Sequence, residues 1–293
     1  MNKLNLLFSY AYLNGTIINL LNNKDINFLL DSGAFSAWKL KKEIKLDDYC
    51  KFVESLPFAP WKYFTLDVIG NPKETLNNYN IMKERGFNPI PIFTRGEDIG
   101  MIDEYYKTSD IIGIGGLVGT MGNKGFVKGI MKKIGDRKCH WLGFTNPNYI
   151  NYFKPFSADS SSWASGLMYG VIHLYLGFGK WERLTRNKKP SARACQRISE
   201  LGFDLNELKI REKWRNKRAN ETFRSIPMAS YIKYIQDIEN RIGTKIFLAI
   251  ADLRDLELFI KLYGEQNESI NSIGRIGFHR GTLQIQTQNG TFI

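Results

Sequence analysis

A chain of 293 residues, 43% of them hydrophobic and three of them cysteine, is long enough to bury a large core without disulfides or a structural metal. No apolar run approaches the ~18 residues of a membrane span, and the polar start of the chain argues against a signal peptide, so a cytoplasmic protein that does not enter membranes is expected. The net charge of +12 favours a polyanionic partner, nucleic acid ahead of an anionic membrane surface.

Short apolar segments predict strands at Leu4–Tyr12, Asn27–Asp31, Tyr63–Asp67, Pro89–Phe93, Ile111–Ile114, His140–Phe144, Phe156–Asp159 and Val171–Leu176. Helices are predicted between several of them, at Asp47–Leu56, Lys73–Arg85 and Lys124–Ile134. Asp47 and Asn71 serve as N-caps there, and Gly86 and Gly135 as stops. This alternation predicts an α/β fold, a TIM-like (β/α)8 barrel over residues 1–178, with a doubly wound open sheet as the alternative. The eighth strand is either Val171–Leu176 or Lys245–Ile250. Residues 179–293 form a basic, mostly helical extension, with helices at Met228–Ile242 and Asp252–Tyr263 and a terminal hairpin or tail over Gly274–Ile293. Between Lys180 and Arg224 fourteen basic residues face six acidic ones, with Trp181 and Trp214 among them. Such a mixture suits phosphate contacts and base stacking.

Polar and glycine-rich segments follow the predicted strands: Asp31-Ser32-Gly33-Ala34-Phe35, Asp67-Val68-Ile69-Gly70, Thr94-Arg95-Gly96, Gly115-Gly116-Leu117-Val118-Gly119 and Asp159-Ser160-Ser161-Ser162. In a parallel barrel the C-terminal strand ends converge on one mouth, where active sites are built. Each acid also has a local alternative. Asp31 can close an Asx-turn before Gly33, and Asp159 can cap the helix after it. The histidines His140, His173 and His279 form no metal motif and read as packed or surface residues.

In this order the segments resemble the tRNA-guanine transglycosylase superfamily. Asp31 to Phe35 is similar to its Asp-Ser-Gly-Gly-aromatic motif, Leu66-Asp67-Val68 to its Leu-Asp-Val strand end, and Ile114 to Gly119 to its Gly-Gly-Leu-Ala-Val-Gly loop. Leu142-Gly143-Phe144, Pro147 and Phe156-Ser157-Ala158-Asp159 follow its Met-Gly-Val, Pro and Met-Phe-Asp series. The family's zinc site has no counterpart, since Cys50, Cys139 and Cys195 are scattered and the basic segment stands in its place. No zinc or other cofactor is therefore expected. The run Asp31 to Trp38 in a short, zinc-less chain resembles the DNA-directed, phage-type branch, the 7-deazaguanine DNA transglycosylases (DpdA-like).

The resemblance implies a pentosyltransferase that exchanges guanine in DNA for a free 7-deazaguanine base such as preQ0. Asp159 would be the nucleophile of a covalent sugar intermediate, helped by hydrogen bonds from Ser160 or Ser161, and Asp31 the carboxyl that manages protons. Asp67, with Ser32, would accept the N–H donors of the base edge. The peptide N–H groups of Gly115 and Gly116 would bind the base carbonyl, and Phe35 and Leu142 would sandwich the ring. Arg95 would line the pocket or meet a phosphate. Lys188, Lys189, Arg215, Lys217 and Arg218 would hold the nucleic-acid backbone, with Trp181 or Trp214 supporting a base. The competing readings are exchange in tRNA and a barrel that binds nucleic acid without catalysis.

Overall fold

The structure, a computed structural model, describes residues 3–118, 124–210, 214 and 220–267. It begins with β1 (Leu4–Ser9), wholly buried, whose side chains alternate between two apolar layers. Leu4, Leu6 and Phe8 join the layer that includes the surrounding helices, whereas Leu7 joins a smaller cluster with Leu29, Phe64, Ile90, Ile92, Ile111 and Phe247. This is the period of two expected of a strand buried on both faces. The same alternation runs through β2 (Ile26–Asp31), β5 (Ile111–Ile114) and β10 (Lys245–Ile250).

Helices follow the strands in turn. After β1 come a 3-10 turn and α1 (Gly15–Leu21), and after β2 come α2 (Ala34–Lys39) and α3 (Leu46–Ser55). Next are β3 (Lys62–Tyr63), α4 (Pro72–Glu84), β4 (Ile92–Phe93), α5 (Met101–Tyr106), β5 and α6 (Lys124–Ile134). Then follow β6 (Lys138–Trp141), α7 (Pro147–Phe153), β7 (Ser157–Ser160) and α8 (Ser162–Met168). Asn71 caps α4 through the Glu74 N–H, and Gly86 and Gly135 take left-handed conformations just past α4 and α6, as predicted. Lys45, not Asp47, occupies the N-cap of α3. Asp47 and Asp48 lie in its first turn, where carboxylates favour the helix dipole.

Eight strands pair in parallel in the order β3-β2-β1-β10-β7-β6-β5-β4. One further parallel bridge, Phe64 with Ile90, joins the residues after β3 to those before β4, the two outermost strands. Thr65 N–H donates to Ile90 O at 3.0 Å and Ile90 N–H to Tyr63 O at 2.8 Å. The fold is thus α/β with an eight-stranded parallel sheet, compatible with a TIM-like barrel.

The sheet also settles its eighth strand. Lys245–Ile250 lies between β1 and β7. Val171–Leu176, the other candidate, belongs instead to β8 (Val171–Gly177), which pairs antiparallel with β9 (Lys180–Thr185). A boundary at residue 178 therefore cuts through a hairpin and leaves a central strand on the wrong side. What departs from the (β/α) alternation is an insertion between α8 and β10: the β8–β9 hairpin, α9 (Ala192–Glu200), a 3-10 turn at Leu205–Lys209 and α10 (Glu221–Ile242). Helix α10 packs on β8, β10 and α8. Among the described residues the final helix, α11, occupies 253–267. Among the described residues no helix is long and apolar enough to cross a membrane. Residues 274–293, expected to form a hairpin or tail, and His279 lie outside the described residues.

Candidate active site

The inward face of the sheet is apolar in its middle and polar toward both ends: Asn5 and Asn27 pair near the N-terminal end, and Ser9, Asp31 and Asp159 stand near the C-terminal one. On β6 and β7 the alternation sends Cys139, Trp141 and Ala158 toward the helices. His140, Ser157 and Asp159 are left to the other face, where His140 meets the rings of Phe64 and Phe247. His140 is fully buried. Its Nδ1 lies 2.9 Å from Ser157 Oγ, and its Nε2 lies 3.1 Å from Asp159 Oδ1. With the carboxyl of Asp159 as acceptor, Nε2 donates to it, and Nδ1 lies within hydrogen-bond reach of the Ser157 hydroxyl. The peptide N–H of Gly143 donates to the same Oδ1 at 2.9 Å. Two donors on one oxygen fix the orientation of the carboxyl. Asp159 does not cap α8, whose N-cap is Ser161. Neither Ser160 nor Ser161 supports Asp159 as expected: the Ser160 hydroxyl donates to Ser162 Oγ at 2.7 Å.

Asp31 ends β2 and does make the Asx-turn, accepting the Gly33 N–H at 3.0 Å. The turn requires glycine at 33. Its φ is +83°, and a Cβ there would come within 3.1 Å of Ala11 N and Ser9 Oγ. Burial pushes the Asp31 carboxyl up to about 7, Asp67 and then Asp159 add to the rise, and the Gly33 N–H and Ser9 hydroxyl work against it. A carboxyl poised near neutrality is matched to proton transfer at that pH. Burial also raises Asp67, against the hydrogen bond from Ser32. That bond, Ser32 Oγ to Asp67 Oδ1 at 2.7 Å, comes from a fully buried hydroxyl. Three carboxyls, Asp31, Asp67 and Asp159, and the hydroxyl of Ser32 thus belong to one cluster.

The remaining expected residues are placed less uniformly. Gly115 is not available to a ligand through its N–H, which donates to Phe93 O at 2.9 Å as part of the sheet. Gly116 has φ +70°, and a Cβ there would lie 2.8 Å from Arg95 Cβ, so glycine is needed for this loop to pass the Thr94-Arg95-Gly96 turn. Glu97 holds that turn by accepting from the Thr94 N–H and hydroxyl and from Tyr105. Arg95 is exposed, with its guanidinium 5.3 Å from the centre of the Phe126 ring. Leu142 is partly buried against the inner apolar cluster. Phe35 stands on α2, 53% exposed, stacked on Trp38 at 5.9 Å and approached by Lys39 Nζ at 4.3 Å.

Lys188 and Lys189 are exposed just after β9. Arg215, Lys217 and Arg218 lie outside the described residues. Part of the basic surplus is spent internally: Arg193 and Arg197 pair with Glu200 at 3.0 and 2.8 Å, and Arg224 pairs with Asp255. Trp214 does not present a stacking face, because it is buried against Phe223 and donates from Nε1 to Leu208 O at 2.8 Å. Cys50, Cys139 and Cys195 are free thiols. Among the described residues no group of three or more His, Cys, Asp or Glu side chains is placed to hold a metal ion.

His140, read from the sequence as a packed or surface residue, is packed, but its place against Asp159 was not part of that reading. Its signal was present: a polar side chain at an inward position of an apolar strand, two residues before Leu142. Together these features define an α/β protein with a buried acidic cluster at the C-terminal edge of a parallel sheet. Comparison of the chain with protein-family models, curated proteins and solved structures returns no match.

Proposed function

We propose that the chain is a pentosyltransferase that exchanges guanine in DNA for a 7-deazaguanine base through a covalent Asp159–sugar intermediate. The observation that carries this reading is the pairing of unlike carboxyls. Asp159 is held by two donors on one oxygen, while Asp31 is raised to about 7. Cleavage of an N-glycosidic bond through an oxocarbenium-like transition state needs an ionised carboxylate at C1′ and a second group that holds a proton. With Oδ1 engaged, Oδ2 of Asp159 meets C1′ as the bond to guanine breaks, and protonated Asp31 delivers its proton to the departing base. The entering base then returns a proton to Asp31 and displaces Asp159 from C1′. Asp67, oriented by Ser32, accepts the N–H donors of the base edge. The finer architecture that goes with this reading is a sheet closed by the Phe64–Ile90 bridge into an eight-stranded barrel, the acidic cluster lying in its mouth.

DNA as the substrate rests on the basic segment, of which Lys188 and Lys189 are exposed. A paired guanine hides C1′ and its base edge, so the target is flipped out or single-stranded. The test is incorporation of labelled guanine into DNA and into tRNA by the purified protein, followed by nucleoside mass spectrometry with preQ0 as the entering base. Label in DNA is the expected result. Label in tRNA alone transfers the activity to the tRNA-directed reading, and binding without exchange in either leaves a non-catalytic nucleic-acid-binding barrel.

A further inference from the structure

Beside the acidic cluster opens a cleft of about 450 Å³ that the proposed chemistry does not use. It lies between the residues after β6, the start of α8, the β8–β9 hairpin and α10, and Gly143, Trp181, Arg183, Tyr231 and Tyr234 line it. Its volume falls in the usual range of small-molecule sites, roughly 300–1,000 Å³. Gly143 belongs to both places, since the N–H of this wall residue donates to Asp159 Oδ1 at 2.9 Å. A ligand in the cleft is one peptide unit from the group proposed to bond the sugar.

The lining specifies the ligand. Trp181, Tyr231 and Tyr234 form an aromatic set, with ring centroids 4.9 Å apart for Trp181–Tyr231 and Trp181–Tyr234. Tyr234 is 2% exposed. Among the described residues, both its hydroxyl and the Trp181 Nε1–H are buried without a hydrogen-bond partner. An indole N–H only donates, so its missing partner is an acceptor, and buried polar groups left unpaired are rare enough to point to an absent ligand or water. Arg183 is exposed, opposite His173 in the hairpin register. Burial, and then Arg183, lower the His173 imidazole below its ordinary value, so Arg183 is the cation there. Both atoms are closed to solvent, so a small shift of the Trp181 and Tyr234 side chains must open them to a ligand; a planar ring with hydrogen-bond acceptors and an attached negative charge then meets them, the aromatic lining and Arg183, which is the chemistry of a nucleotide.

We infer that this cleft receives the nucleotide next to the exchanged guanine in the same strand, its base on the Trp181–Tyr231–Tyr234 surface and its phosphate at Arg183. The inference rests on the transglycosylase reading for the position of the guanine at Asp159, but binding tests it separately from exchange. The probes are short single-stranded DNAs with one guanine, either intact or with the 5′ or the 3′ neighbour made abasic, titrated against wild-type protein, Tyr234→Phe and Arg183→Gln. Loss of one neighbour base is expected to weaken wild-type binding about ten- to a hundredfold, as stacking on aromatic side chains does elsewhere. Tyr234→Phe, which removes only the hydroxyl, is expected to weaken the intact strand and to leave that abasic strand unaffected. Arg183→Gln weakens both. Equal wild-type affinity for all three strands overturns the inference, as does an equal loss in Tyr234→Phe on intact and abasic strands, or no binding of DNA at all. Binding of a free deoxynucleoside monophosphate that needs Tyr234, without any effect of the neighbours, overturns it in favour of a separate nucleotide site. An abasic effect in a protein that never exchanges guanine supports the cleft and ends the transglycosylase reading. Exchange without any abasic effect does the reverse.

Discussion

His140 Nε2 lies 3.1 Å from Asp159 Oδ1 across the β6–β7 pair, and the histidine is fully buried. The ring is itself fixed by Ser157 at 2.9 Å. A chain of three side chains on two adjacent strands therefore sets the orientation of the proposed nucleophile. His140→Gln keeps a donor but shortens and frees it. A hydrogen bond to a charged group contributes about 1.5–3 kcal/mol, so the exchange rate is expected to fall roughly ten- to a hundredfold, with KM little changed. Steady-state kinetics check this; a rise in KM at constant kcat shows a role in binding instead.

Asp159→Asn changes little volume and leaves an oxygen to accept from Gly143, so the fold is expected to survive, with an unchanged circular dichroism spectrum. Loss of a nucleophile is expected to lower base exchange by several powers of ten and to abolish the covalent adduct with a guanine-containing strand. Labelled guanine entering DNA at the wild-type rate in this variant removes Asp159 from the chemistry.

Asp31 links function to stability. Its carboxyl is raised to about 7 in the folded chain and titrates near the ordinary ~3.9 when unfolded. Above about pH 7 the folded protein carries a crowded charge that the unfolded chain carries freely, so Asp31 destabilises the fold there. As pH falls from about 7 to about 4 the folded state takes up its proton first and regains that stability. Asp31→Asn is therefore expected to raise Tm by a few degrees at about pH 8, with the gain vanishing near pH 4. Thermal melts across this range decide it; a gain that is largest at acid pH contradicts the assignment.

The same titration shapes the rate. Departure of guanine needs protonated Asp31, so kcat/KM for exchange is expected to fall as pH rises through about 7. A pH–rate profile flat between about pH 6 and 8 is inconsistent with Asp31 as the proton donor.

Lys188 and Lys189, just after β9, are exposed. Replacing both with Gln is expected to weaken DNA binding across sequences and to reduce the slope of log K against log salt by up to roughly two units, about one for each phosphate that the variant no longer neutralises. Exchange at saturating DNA is expected to persist. Equilibrium binding at several salt concentrations measures this, and an unchanged slope shows that other residues hold the backbone.

The sequence by itself determined the local structure along most of the sheet. Apolar runs between glycines and caps marked seven of its strands, because a strand buried on both faces must be apolar and its ends must turn. It also singled out Asp31, Asp67 and Asp159, since carboxyls at strand ends have no packing reason to be there. Two matters were decided only by the tertiary structure. Val171–Leu176 and Lys245–Ile250 are both short apolar runs, and which one completes the sheet depends on which finds an edge. The first is taken by its antiparallel neighbour β9, while the second fits between β1 and β7. The role of His140 likewise depends on register: only when β6 pairs with β7 so that His140 faces Ser157 does the imidazole reach Asp159. A residue's face is written in the period of its own strand, but its partner is chosen by strands distant in the chain, and no local pattern records that choice.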